Sequence, residues 1–128
     1  MAEATLVDPK LKAGAELLGA LDSALGDVFG AFWYHDPETE DWRLVIGSGV
    51  VDHEGSTRAN QRLVAIMNDR DFGLSPLDVL LVGRHHPLVE VLRGVPKTGR
   101  LTLPIPLHVY RTMLGTHYVD DAYVYRST

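Results

Sequence analysis

The sequence contains no cysteine, which excludes disulfide bonds, thiolate metal sites and cysteine nucleophiles. It has no apolar run of about 18 residues, the length needed to cross a membrane. The first residues also lack the basic stretch and apolar core of a secretory leader. These absences predict a cytoplasmic protein that is not inserted in a membrane.

An excess of positive charge is also missing. The chain has 12 Lys and Arg against 17 Asp and Glu, a net charge of −5, which argues against a protein whose main partner is nucleic acid. The charge is unevenly distributed, because residues 1–83 carry six cations and fourteen carboxylates whereas residues 84–128 carry six and three. The C-terminal third is therefore predicted to present a basic face, formed by Arg84, Arg93, Lys97 and Arg100.

The composition that remains is that of one ordinary globular domain. The chain has 128 residues, of which 45% are hydrophobic and 23% charged, and a chain of this length buries enough apolar surface to fold on its own. There is no internal repeat and no break in composition that would mark a linker. We expect a single domain over residues 1–128.

The apolar spacing predicts a helix followed by a sheet. Leucines recur at helical intervals from Asp8 to Leu25, with Pro9 at the first helical position and Gly26 as the stop. Two stretches rich in aromatic and branched residues, 28–34 and 42–46, then predict a hairpin with an acidic tip.

The rest of the chain predicts further elements. They are a loop over Gly47–Gly55, a helix from about Ser56 to Asp69, a strand at Leu77–Val82, a short helix at Leu88–Arg93 capped by His86, a strand at Leu101–Leu107 that Pro104 and Pro106 confine to an edge, and a terminal strand at Thr116–Arg126. The predicted fold class is α+β. It consists of a mixed, mainly antiparallel sheet of about five strands, with the N-terminal helix and one or two further helices packed on one face.

Three motifs carry a resemblance. Ala31-Phe32-Trp33, Trp42-Arg43-Leu44-Val45-Ile46 and the terminal Tyr118-Val119-Asp120-Asp121-Ala122-Tyr123-Val124-Tyr125-Arg126 together resemble a group of short bacterial α+β proteins to which no activity is assigned. The resemblance implies a bacterial, cytoplasmic, stand-alone domain. It carries over no ligand and no site residue.

Motifs of familiar enzymes fail on inspection. The segment from Gly94 to Gly99 has the glycine spacing of a phosphate-binding loop, but Arg100 and Leu101 replace the lysine and hydroxyl residue that bind phosphate and Mg²⁺. No histidine pair has the spacing that places two imidazoles on one face of a helix.

Two acidic clusters are the best chemical candidates. Asp52-His53-Glu54 follows a strand, and His117, Asp120 and Asp121 lie on the terminal strand. If the clusters met, Asp52, Glu54 and Asp121 could bind a divalent metal, and His53, Glu54 or His117 could act as a general base.

The aromatic residues provide the other candidate site. Strand alternation cannot place all of them on one face, so some rings are expected at the surface, where Trp and Tyr commonly anchor protein interfaces. The candidates are Trp33, Trp42, Tyr123 and Tyr125.

The sequence therefore favours a non-catalytic bacterial protein-binding module, such as an accessory, antitoxin-like or immunity-like subunit. This hypothesis requires no cofactor and expects a protein partner or a homodimer. The alternative is a small metal-dependent hydrolase or nuclease that uses Asp52, His53 and Glu54 with His117 and Asp121. A weak nucleic-acid contact through Arg84, Arg93, Lys97, Arg100 and Arg111 is a third hypothesis.

Overall fold

The computed structural model describes residues 8–99, 101–114 and 116–128. Within these residues the strands are β1 (Val28–His35), β2 (Trp42–Ser48), β3 (Val79–Val82), β4 (Leu107–Leu114) and β5 (His117–Ser127). The α-helices are α1 (Asp8–Ala24), α2 (Gly49–Glu54), α3 (Ser56–Asp69) and α4 (Glu90–Arg93). Single 3₁₀ turns, Pro76–Asp78 and Pro87–Val89, precede β3 and α4.

The five strands form one sheet in the order β3-β2-β1-β5-β4. Every neighbouring pair is antiparallel except β2 and β3, which are parallel. Parallel neighbours need a long crossover connection, and α2 and α3 provide it. The prediction of an α+β fold with a mainly antiparallel sheet of about five strands is confirmed.

Helix α1 ends next to the glycine that the sequence indicates as its stop. Its inward face buries Leu17, Leu18 and Leu21 completely. Gly26 adopts a φ of +64°, a left-handed conformation that glycine tolerates better than other residues and that ends the helix.

Both faces of the sheet are covered, which corrects the expectation that the helices share one face. Because side chains alternate along a strand, Ala31 and Trp33 of β1 pack with the residues of α1 and α3 in one core cluster. Phe32, between them, belongs to a second cluster that includes Val91 and Leu92 of α4. The short helix α4 therefore covers the face opposite α1.

Two predicted segments differ from the structure. Gly47–Gly55 is not a loop, because β2 continues to Ser48, whose hydroxyl accepts a hydrogen bond from the N–H of Val50 and caps α2. The predicted strand at Leu101–Leu107 is wrong, because the strand begins only at Leu107. Pro104 and Pro106 lack the N–H that a ladder requires, so regular pairing with β5 begins after them.

No helix in the described part of the chain is long and apolar enough to cross a membrane.

Candidate functional site

The first acidic cluster lies on α2, where its carboxylates bind neighbouring parts of the fold. Asp52 Oδ2 accepts a hydrogen bond of 3.1 Å from the backbone N–H of Arg84, just after β3. Glu54 forms a 2.9 Å ion pair with Arg62 of α3. His53, between them, is exposed. Asp52 and Glu54 thus fasten α2 to its neighbours.

The second cluster, on β5, forms three separate pairs with histidine or tyrosine. Asp120 accepts a 2.9 Å hydrogen bond from Nδ1 of His35, and Asp121 Oδ1 lies 2.6 Å from Nε2 of His108. His117 and the hydroxyl of Tyr34 are hydrogen-bonded at 3.0 Å. Burial raises the pKa of Tyr34, and the carboxylates of Asp36 and Asp120 raise it further.

The two acidic clusters lie at opposite ends of the sheet. His35 pairs with Trp42 at the end that holds the β5 cluster, whereas Val28 pairs with Ser48 at the end where α2 begins. Eight extended residues span roughly 25 Å at about 3.4 Å per residue. No three His, Asp or Glu side chains of the described part of the chain form a group that could hold a metal ion. The structure does not bring Asp52 and Glu54 together with the β5 cluster.

The four aromatic candidates divide into two pairs. Trp33 and Tyr125 are each only 1% exposed and lie beneath α1, so their prediction as interface anchors is corrected. Strand alternation turns these two rings to the face that α1 covers.

Trp42 and Tyr123, in contrast, are half-buried, with ring centroids 5.8 Å apart. Tyr123 also stacks on His108 at 4.3 Å. Burial raises the pKa of Tyr123, and the nearby carboxylates of Asp121 and Asp8 add to the effect. These rings form a row across the sheet and remain partly accessible.

Three of the four predicted basic residues converge. Arg84, Arg93 and Lys97 line one pocket between the end of β3 and α4. Arg100 lies outside the described residues.

Most of the large exposed apolar side chains of the described residues lie at the β4 edge of the sheet, and the sequence analysis did not single them out as a site. Among the described residues eight large apolar or aromatic side chains are well exposed, and six of them lie on β4, just before it or at the start of β5. We call this set the β4 surface; it consists of Leu101, Ile105, Leu107, Tyr110, Met113 and Tyr118. Ile105 is 82% exposed and Met113 58%. The sequence predicts an edge strand around Pro104 and Pro106, but its apolar residues do not by themselves show which side chains are exposed.

Comparison of the chain with protein-family models, with curated proteins and with solved structures finds no match. The function must therefore be argued from the geometry of the molecule.

Proposed function

We propose that this chain is a non-catalytic protein-binding module, and that the β4 surface is its binding site. The observation that carries the proposal is the concentration of exposed apolar side chains along one sheet edge. Single exposed apolar residues are common on soluble proteins, but a concentration of them in one region typically marks a protein interface.

The position of β4 supports this function. β4 is the last strand in the sheet order, and among the described residues it pairs only with β5, so no described strand covers its outer edge. Free edges are the places where another chain can associate. Met113 and Tyr118 are direct partners in the β4–β5 register, which places two exposed apolar side chains next to each other at this edge.

A second copy of the chain is the occupant that fits the β4 surface best. The strand Leu107–Leu114 contains no carboxylate, and Arg111 is its only lysine or arginine. A strand with so little charge can meet its own copy about a two-fold axis with little repulsion between like charges. The two-fold axis would make both partners bury the same apolar side chains.

The shape of the edge favours packing through side chains over a continuous sheet. Arg111 has a φ of +44° in the middle of β4, a conformation that bends the edge and interrupts a regular ladder. The prolines at 104 and 106 remove two further backbone donors just before the strand. The proposed homodimer therefore depends on the exposed side chains of the β4 surface.

Sedimentation equilibrium over a range of protein concentrations tests the proposal. We expect the wild type to dimerise and the double variant Met113→Lys/Tyr118→Lys to remain monomeric, because four lysines would face each other across the two-fold axis. Leu77→Lys is the matched control, since Leu77 is 83% exposed but lies beside β3 at the opposite edge of the sheet. Its dimerisation should equal that of the wild type.

Thermal melts of all variants are needed to show that each is folded. A wild type that stays monomeric at the highest attainable concentration would refute the homodimer. Equal losses of association in the control and the double variant would show that the β4 surface is not the interface.

A further inference from the structure

Two adjoining pockets lie at the end of the sheet opposite the β5 cluster of His117, Asp120 and Asp121. The first has a volume of about 200 Å³ and is lined by Phe29, Arg84, Val89, Leu92, Arg93, Lys97 and Thr128. Its described lining includes three cationic side chains and no acidic side chain. We call it the cationic pocket.

The second pocket has a volume of about 270 Å³ and shares Phe29, Arg84 and Thr128 with the first. It adds two carboxylates, Asp22 and Asp27, and we call it the acidic pocket. The shared residues make the two pockets neighbours around a single arginine, Arg84.

Arg84 is held in place between the two pockets. Its guanidinium lies 4.4 Å from the ring centroid of Phe29, and its backbone N–H donates to Asp52. Its contact with Asp27 is long, at 3.5 Å, and exposed, so it leaves most of the guanidinium hydrogen-bonding capacity available. An arginine that is already stacked loses little freedom when it binds an anion.

The other cations of the pocket are also available. Arg93 has a 3.0 Å ion pair with Glu90 one turn away on the exposed surface, a contact that an incoming anion can replace at small cost. Lys97 has no ion pair with any residue that the structure describes. Three cations with weak or no partners around one concave site suit a doubly charged anion such as a phosphomonoester.

The acidic pocket indicates the chemical nature of the part of the ligand that lies outside the cationic pocket. Asp22 is occupied by a bidentate pair with Arg126. Asp27 is about half exposed, and among the described residues its side chain has only the long contact with Arg84. A half-exposed carboxylate accepts hydrogen bonds from hydroxyl groups and repels a second anion. The Nε of Arg126, which also lines this pocket, has no hydrogen-bond acceptor among the described residues.

We propose that the paired pockets bind a small phosphorylated polyol, with the phosphate in the cationic pocket and hydroxyl groups against Asp27. Arg84 then contacts both parts of the ligand. This inference does not depend on the proposed dimer, because the β4 surface contributes none of the lining residues.

Isothermal titration calorimetry with ribose 5-phosphate, inorganic phosphate and ribose tests the inference. We expect ribose 5-phosphate to bind most tightly, inorganic phosphate more weakly and ribose not at all. The double variant Arg93→Gln/Lys97→Gln should lose affinity for both phosphates by at least about tenfold, since it removes two charge-assisted contacts. Lys12→Gln/Arg58→Gln is the matched control, because it removes the same charge from exposed sites on α1 and α3.

Asp27→Asn separates the two halves of the site. It should weaken ribose 5-phosphate but leave inorganic phosphate unchanged or slightly tighter. If Arg93→Gln/Lys97→Gln and its control lose the same affinity for phosphate, the binding is non-specific charge attraction and the proposal is overturned. A lack of ribose 5-phosphate binding would also overturn the proposal. An oligonucleotide that binds far more tightly, with a steep salt dependence, would overturn it in favour of nucleic acid.

Discussion

The indole Nε1 of Trp33 donates a 3.0 Å hydrogen bond to the hydroxyl of Tyr125. That hydroxyl in turn donates to the backbone carbonyl of Leu11. The chain of hydrogen bonds links β1, β5 and the first turns of α1, and both aromatic side chains are almost fully buried. A buried indole N–H normally needs such an acceptor, so the terminal strand and the N-terminal helix depend on each other.

Replacement of Tyr125 by phenylalanine tests this link. The change keeps the ring but leaves the buried Trp33 N–H without its acceptor and removes one of the donors to the Leu11 carbonyl. We expect the free energy of unfolding to fall by about 1 to 3 kcal/mol, the usual cost of buried polar groups left unsatisfied. Urea denaturation measures it. Tyr118→Phe is the control, because Tyr118 is 51% exposed, and an equal loss in both variants would contradict the argument.

The same hydroxyl should make stability depend on alkaline pH. Burial raises the pKa of Tyr125 from 10.0 to about 12. Between these values the unfolded chain releases the phenolic proton while the folded protein keeps it, so stability falls as pH rises. The stability difference between wild type and Tyr125→Phe should therefore shrink between about pH 10 and about pH 12. Denaturation curves that give a constant difference would show that Tyr125 titrates normally.

Gly14 of α1 sits directly over the Trp33–Tyr125 pair. A Cβ at this position would come within 2.6 Å of the Tyr125 hydroxyl and 2.7 Å of Trp33 Nε1. Gly14→Ala should therefore destabilise the protein by about 1 to 3 kcal/mol, the typical cost of overpacking, although alanine favours a helix by about 1 kcal/mol. Gly19→Ala should instead stabilise, since Gly19 has open space around it. Thermal melts in which both variants respond alike would contradict this interpretation.

The sequence predicted those elements whose pattern has a single physical cause. Leucine spacing and the left-handed Gly26 defined α1, and His86 was predicted to cap the short helix, where its Nδ1 accepts from the N–H of Leu88 at 3.1 Å. The start of β4 was predicted wrongly because this edge strand buries only Val109 and Leu114 of its eight residues. A strand that is exposed at most positions has no clear apolar alternation. Only its pairing with β5 defines it.

The candidate site was less predictable because it depends on what covers each face. The sequence pattern places Trp33 on β1 and Trp42 on β2. It does not show that α1 covers Trp33 while Trp42 stays half-buried. Nor could the spacing of Asp52 and Asp121 show that they belong to opposite ends of the sheet. The convergence of Arg84, Arg93 and Lys97, in contrast, followed the uneven charge of the chain.

Asp22 holds the buried guanidinium of Arg126 through two contacts of 2.6 Å. Asp22→Asn should lower stability by about 2 kcal/mol, because it leaves a buried positive charge without its counterion, while partial exposure of Asp22 keeps the loss below that of a fully buried pair. Asp27→Asn removes only the exposed 3.5 Å contact with Arg84 and should cost less than about 0.5 kcal/mol. Denaturant titration measures both losses. A loss in Asp27→Asn equal to or larger than that in Asp22→Asn would contradict the prediction.

The last prediction concerns divalent metals and the first acidic cluster. Since Glu54 pairs with Arg62 at the surface, Glu54→Ala should change stability by no more than about 0.5 kcal/mol. Asp52→Ala should cost about 1 kcal/mol, because Arg84 loses the acceptor of its backbone N–H.

A bound metal would add a stabilisation that grows with its concentration, but the β5 cluster lies at the other end of the sheet and cannot complete a site with Asp52. The melting temperature of the wild type should therefore not rise with millimolar Mg²⁺, Mn²⁺ or Zn²⁺. A rise that disappears in Asp52→Ala/Glu54→Ala would instead favour the metal-dependent hydrolase, because only a metal bound by these two carboxylates would respond to both changes.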